Sequence, residues 1–466
     1  MGTEAEESRC RRIADEIRAM GLWRIPGLAE EQRTWRISPT PFPIEKDLQE
    51  LLERLGPALL SFYAAVNRLY LRSFYPWVND YLDRGKPDSL VEHAHMNYQK
   101  HRLPRIIRPD IVLTDDGPMI TELDSVPGGM GQLGAMSQLY SELGFEILGS
   151  ARGMLHGFDA MIRAAAGMDD PVLGIVVSDE SADYRPEMSW LASELRGLGR
   201  RAWMLRPEDL IFTEDGLFVR NNGKRVRLDV VYRFFELFDL KNIPKSDLVA
   251  YAAKKKRVVV TPPFKHFLEE KLLLALLHHP MLEEYWVKTL GPEDYMMLRE
   301  LAPPTWMLDS RPVPPHAVVP DFRFRGRPVQ DWRIIEQGTQ KERRLVIKPS
   351  GFSPLAWGAR GVVVGHDVSA EHWAAMLDRA LEGSDVLPYV LQHFHEGRRV
   401  SVSWYDQDWG ALREMEGRVR LSPYYFVLEG GAALAGVLAT VAPLDKKLIH
   451  GMVDAVMAPC AIRNDA

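Results

Sequence analysis

The chain has 466 residues, 46% hydrophobic and 26% charged, with a formal net charge of −6 from 58 basic and 64 acidic side chains. Its length exceeds what one hydrophobic core holds and predicts two or three domains, and its composition is globular, neither disordered nor membrane-like. The slight acidic excess offers no overall field to attract nucleic acid, although it leaves room for local basic patches, and two cysteines, Cys10 and Cys460, exclude a disulfide framework and a cysteine-built zinc site.

The opening stretch, MGTEAEESRCRRIADEIRAM, is charged and has no apolar h-region. The longest nearly uncharged stretch, GGAALAGVLATVAPL, is too short and glycine-rich to span a bilayer. These features predict a cytoplasmic protein without a membrane partner.

In chain order, helices are expected over 5–20, over 45–73 with an interruption at Gly56-Pro57, and over 87–100. Next comes RPDIVLTDDGPMITELDSVPGG, in which two short apolar strands flank the turn Asp115-Asp116-Gly117-Pro118. VLGIVVSDE has the continuous apolar character of a buried parallel strand, EMSWLASELRGLG reads as a helix ending at glycine, and RAWMLRPEDL as another strand. This β-α-β order argues for an α/β layer. Asn221-Asn222-Gly223 predicts a second hairpin leading into the buried strand DVVYRF. Helices are expected over 267–278, 293–301 and 369–382, strands in RRLVIKPSG, GVVVGH, YVLQHF and RRVSVSWY, and a Pro- and Arg-rich linker or irregular crossing segment over 302–330. The tail from LSPYYFVLEGG onward carries no chemically legible motif.

Four stretches could carry chemistry. Glu122 and Asp124 are two apart, so an extended strand points both to one face, and Asp110 can lie opposite them across the turn. Carboxylates grouped in this way suit Mg²⁺ or Mn²⁺; alone, they also read as a solvated acidic hairpin end. LVIKPSGFSPLAWGARGVVV places Lys348 at a strand end before a loop with Gly351, Gly358 and Gly361, and adds the cation of Arg360. Such a loop lets backbone N–H groups approach phosphates, although a plain hairpin with a long loop fits equally well, and the P-loop pattern is absent. In PPFKHFLEEKLLLALL, Lys271 opens an apolar helical run, and Lys265 is an equal candidate. YVLQHF could offer the backbone of Leu391 and Gln392 to a purine edge. The pair His393 and His395 lacks a third metal ligand of matching spacing, and the same holds for EHAHMNYQKH.

Taken together, these stretches resemble the circularly permuted ATP-grasp family, in the form of the glutathionylspermidine synthase-like synthetase domain. The likeness rests on Arg108-x-Asp110 followed by Glu122-x-Asp124, then Lys271, then Lys348 with its glycines, over roughly residues 105–405. The metal acids precede the lysines, the reverse of ordinary ATP-grasp chains. The resemblance implies an α/β (α+β) fold, a permuted ATP-grasp with a pre-ATP-grasp-like α/β layer and a helical N-terminal region. The expected division is 1–104, 105–262 and 263–466. It also implies ATP and Mg²⁺ (or Mn²⁺) as cofactors, with Asp110, Glu122 and Asp124 as metal ligands. Lys271, Lys348, Gly351, Gly358, Gly361, Leu391 and Gln392 would bind the nucleotide, with Arg108, Lys348 and Arg360 catalytic. Asp124 stands where the family commonly has Asn, the interval from Lys271 to Lys348 is long, and no cysteine-containing amidase domain accompanies the motifs.

The implied activity is ATP-dependent ligation of a small-molecule carboxylate to an amine through an acylphosphate. Arg233 and Glu236 are candidates to orient the substrates, though such a pair on a strand also reads as structural. Two other classes remain: a nucleotide-binding scaffold without ligase chemistry, which should have lost one of the three acids, and a metal-dependent hydrolase, which leaves the lysine–glycine stretch unexplained.

Overall fold

The computed structural model describes residues 2–22, 35–311, 317–356, 360–449 and 454–463. Among them, an eight-stranded sheet is built around the part of the chain that carried no motif. Ala411–Leu428 and Gly431–Pro443 form a long hairpin, extended on one side by Val456–Ile462 and on the other by the hairpin Ile106–Thr114/Gly117–Asp124. Arg36–Ile37 and Phe42–Ile44 add parallel to Val456–Ile462, and Arg399–Asp406 pairs with the first half of Ala411–Leu428.

Both faces of this sheet are covered, so its central strands are apolar on both sides rather than alternating. Consecutive Tyr424 and Tyr425 are each fully buried and belong to different cores. Tyr425 joins the core of helix Lys46–Leu71, and Tyr424 that of helices Met130–Glu142 and Gly153–Ala166. Helix Lys46–Leu71 runs unbroken through Gly56-Pro57, against expectation. Tertiary contacts outweigh the local breaker here: the Tyr425 ring packs where a Gly56 side chain would stand, and its hydroxyl donates to Leu52 O at 2.6 Å.

A second sheet is parallel, in the order Val259–Thr261, Val230–Phe234, Leu173–Val177, Ala202–Leu205. Helices Arg185–Gly197 and Ser246–Lys254 make its crossovers. Every residue of Leu173–Val177 is buried, as its unbroken apolar run implied. A third, antiparallel sheet runs Thr305–Leu308, Tyr389–His393, Leu345–Pro349, Val363–Val364, backed by helix Ala370–Glu382. The linker expected over 302–330 is corrected here. Thr305–Leu308 is an edge strand, too short between Pro303-Pro304 and the following Pro- and Arg-rich stretch to announce itself.

Gly56→Ala tests the helix–sheet contact. Helix propensity favours alanine by about 1 kcal/mol, but its Cβ would stand 2.5 Å from Tyr425 Cδ1 on a buried ring. Overpacking of that kind costs about 1–3 kcal/mol, so net destabilisation is expected in urea denaturation.

Candidate functional site

The hairpin Ile106–Thr114/Gly117–Asp124 pairs Arg108 with Asp124 and Asp110 with Glu122 directly across the strands. The register shifts between Asp110 and Ile111, leaving Thr121 as the extra residue of a β-bulge. Its side chain donates to Asp110 O at 3.2 Å, and its own carbonyl, outside the ladder, accepts from Lys348 Nζ at 3.1 Å. A bulge of this kind leaves no mark in the sequence.

This hairpin floors a cavity of about 530 Å³ that Arg108, Asp110, Glu122, Asp124, Lys271, Lys348, Gly351 and Gln392 all line. Each carboxylate of the floor has a cation. Arg108 lies 3.1 Å from Asp110 and 3.0 Å from Asp124, Arg420 lies 3.1 Å from Asp110, and Lys271 lies 2.6 Å from Glu122. Burial alone would raise the Asp110 carboxyl, but Arg108 and Arg420, with a hydrogen bond from Ser422, hold it below the usual carboxylate range. At Asp124 burial wins and its pKa is raised. Burial pulls Lys271 down, but Glu122 overrides it and its pKa rises. Lys348 has no carboxylate so close. It donates to Gln392 Oε1 at 2.6 Å, and burial lowers its pKa to about 8. No three Asp, Glu, His or Cys side chains among the described residues are gathered closely enough to hold an ion as they stand.

Lys271 is placed by its neighbours. In Glu269-Glu270-Lys271, just ahead of helix Leu272–His278, Glu269 pairs with the fully buried Arg233 of the parallel sheet. Glu270 meets Lys86 at 2.6 Å, with both side chains wholly buried, and accepts from Ser350 Oγ and from Gly351 N at 2.9 Å. Lys271 itself reaches Glu122 and Ala356 O. Three successive side chains therefore tie together the parallel sheet, the N-terminal helices, the loop after Lys348 and the hairpin. Gly351 must be glycine, because a Cβ there would stand 1.9 Å from Glu269 O.

Other expected residues lie elsewhere. Lys265 is fully buried against Asn67 Oδ1 at 2.6 Å and Arg102 O at 2.8 Å, outside the cavity lining. Arg360 pairs with Glu180 at 2.9 Å, and Gly361 N donates to Leu355 O; neither lines the cavity. Gly358 lies outside the described residues. The side chain of Leu391 is buried in the core between the third sheet and its helix, whereas Gln392 and His393 face the cavity. Of the two candidates to orient substrates, Arg233 binds Glu269, Pro262 O and Phe235 O outside the cavity lining, while Glu236 lines the cavity, so the two form no structural pair. His393 packs on Trp306, with ring centroids 5.1 Å apart. Gly128 and Gly129 line the cavity, and the Tyr184 ring packs against Gly128, 2.0 Å from where a Cβ would be.

Of the wall facing the hairpin, sequence reasoning singled out Glu236 and missed Glu187 and Glu269. Burial, with Glu269 and Asp124 adding like charge, lifts Glu236 to about 8. Burial likewise lifts Glu269 to about 7, against the pull of Arg233, and Glu187 to about 7, against backbone donors at Gln132 and Gly131. Arg420, Ser422 and Tyr424, on the strand Ala411–Leu428 that pairs with the hairpin, also line the cavity. Their only sequence signal is an Arg-x-Ser alternation within an apolar strand. The arrangement offers a cation pair, Lys271 and Lys348, above hard oxygen donors, beside carboxyls that change charge near neutral pH.

No family model matches the sequence, and no curated protein matches it. Among solved structures the chain is similar to a glutathione synthetase-like effector from Globodera pallida in its apo form. That match has a TM-score of 0.60 and 12% identity over 98% of this chain and 97% of the other. A putative gamma-glutamylcysteine synthetase from Methylobacillus flagellatus KT matches at a TM-score of 0.41 and 12% identity, over 85% of this chain and 87% of the other. The fold is thus an α/β one of the glutathione synthetase-like kind.

Glu236 gives a pH prediction. Its carboxyl titrates near 8 in the folded chain against an ordinary 4.5, so the native state binds the extra proton between those values. Stability from this group is then lost as pH rises through that window. Glu236→Gln should melt higher than the native chain at pH 8.5 and equal it near pH 4.5, as thermal melts across that range would show.

Proposed function

We propose that the protein is an ATP-dependent carboxylate–amine ligase, a circularly permuted ATP-grasp enzyme that joins a small-molecule carboxylate to an amine. The observation that carries this reading is a convergence. Lys271 and Lys348, from separate elements and 77 positions apart in number, both reach the strand Gly117–Asp124, at Glu122 Oε1 (2.6 Å) and Thr121 O (3.1 Å). A cation pair over a carboxylate floor is what a polyphosphate chain with its counter-ions requires. The hairpin precedes both lysines in the chain, which supports the permuted order, and the glutathione synthetase-like fold is compatible with amide-bond synthesis.

In this reading a substrate carboxylate oxygen attacks the γ-phosphorus, the bond to the β,γ-bridging oxygen breaks, and ADP leaves. The amine nitrogen then attacks the acyl carbon of the acylphosphate. The C–O bond to phosphate breaks, the nitrogen loses a proton, and amide and phosphate result. Lys271 and Lys348 neutralise phosphate oxygens, and Arg108, held by Asp110 and Asp124, meets charge developing on the transferring group. The donor set fits Mg²⁺, with Mn²⁺ as the alternative: Asp110, Glu122 and Asp124 are hard oxygen ligands on one wall and would hold it. When bound, the ion shields phosphate charge. Glu236, raised by burial to about 8, would take the proton lost by the amine in its ionised form.

A hydrolase acting through the carboxylates alone is disfavoured, because it leaves the convergence of Lys271 and Lys348 on the same strand without a role.

Acylphosphate formation is open to trapping. With ATP, Mg²⁺ and panels of small carboxylates, hydroxylamine should yield a hydroxamate together with ADP. Lys348→Ala should lower ADP release by about 100-fold or more while leaving the melting curve intact. Full turnover in that variant would remove Lys348 from the phosphate site.

A further inference from the structure

Beside the tip of the carboxylate hairpin lies a second cavity of about 530 Å³. It is lined by four arginines from three separate segments: Arg344 ahead of strand Leu345–Pro349, Arg398 and Arg399 at the start of strand Arg399–Asp406, and Arg418 on Ala411–Leu428. The segment carrying Arg398 is fixed to the hairpin by a bridge between Thr114 and Gly397 and by Arg398 N donating to Leu113 O at 2.8 Å.

Arg108 and Arg420, the arginines that line the main cavity, are both committed to carboxylates, whereas of these four only Arg418 is. Arg344, Arg398 and Arg399 have no ion pair and no side-chain hydrogen bond among the described residues. Arg418 is buried and holds Glu396 at 2.5 Å and Leu444 O at 2.7 Å, yet its Nε is buried without an acceptor. His395, which lines this cavity and the main one, has a buried Nε2 without a partner. Asp115 and Asp116 line the hairpin side, but neither comes within ion-pair distance of an arginine. Guanidinium groups gathered in this way repel one another until an acceptor-rich anion arrives, and their planar forks match carboxylate and phosphate oxygens.

We propose that this second cavity is a binding site for a small polyanion, one carrying phosphate groups or clustered carboxylates. The site stands apart from whatever the main cavity binds. Its ligand sits against His395, Glu396 and Gly397, and His395 and Gly397 also line the main cavity.

Calorimetric titration with inorganic pyrophosphate, and separately with citrate, tests the site. At least one probe should bind at one site per chain, more weakly as salt rises. Arg398→Ala/Arg399→Ala should weaken that binding tenfold or more, and both side chains are exposed, so the fold should persist. Arg344→Ala provides a second variant if the double one melts early. In Lys348→Ala the binding should be unchanged. Failure of both probes to bind the native chain, native affinity in the arginine variants, or loss of binding in Lys348→Ala would each overturn the proposal. The last outcome would place the anion in the main cavity.

Discussion

Everything in the site depends on one electrostatic constraint: charge buried beside a sheet must be matched side chain by side chain. The tripeptide Glu269-Glu270-Lys271 meets it by sending three consecutive charges to three partners, Arg233, Lys86 and Glu122. Breaking a buried pair such as Glu270–Lys86 leaves an uncompensated ion and costs about 3–5 kcal/mol. The tripeptide is therefore fixed, and with it the relative places of the parallel sheet, the glycine loop and the carboxylate hairpin. Rigidity here has a chemical use, since groups that must surround a transferring phosphoryl gain most from being held in place beforehand.

The same burial that fixes these charges also tunes them. Lys348, whose nearest partners are an amide oxygen and a backbone carbonyl, is brought down to about 8, whereas Lys271, on a carboxylate, is pushed up. Two lysines facing one cavity thus differ in how readily they give up a proton. The wall opposite contains Glu236, Glu269 and Glu187, raised to about 8, 7 and 7 by burial. The net charge of the cavity consequently depends on pH near neutrality, and a bound polyanion would shift all of these groups together.

Much of this was legible in the sequence, for identifiable reasons. Period-two spacing put Glu122 and Asp124 on one face, and the Asp-Asp-Gly-Pro turn set Asp110 opposite Glu122. The unbroken apolar run of Leu173–Val177 announced a parallel strand, and Asn222-Gly223 a hairpin. Long-range effects were not legible. Nothing local distinguishes Lys271 from Lys265; only the folded chain sends one to Glu122 and the other to Asn67. Pro57 reads as a helix breaker until the Tyr425 ring is packed against Gly56. The strand Ala411–Leu428, which runs into the tail without a motif, places Arg420 and Ser422 on Asp110.

The most direct test of the account is calorimetric titration of the native chain with a non-hydrolysable ATP analogue, with and without Mg²⁺. The account predicts Mg²⁺-dependent binding at one site, in the micromolar range of about −8 kcal/mol, that competes with ATP. Absence of binding under both conditions would contradict it. The lysines and carboxylates of the main cavity would then be a structural ion-pair network and not a nucleotide site.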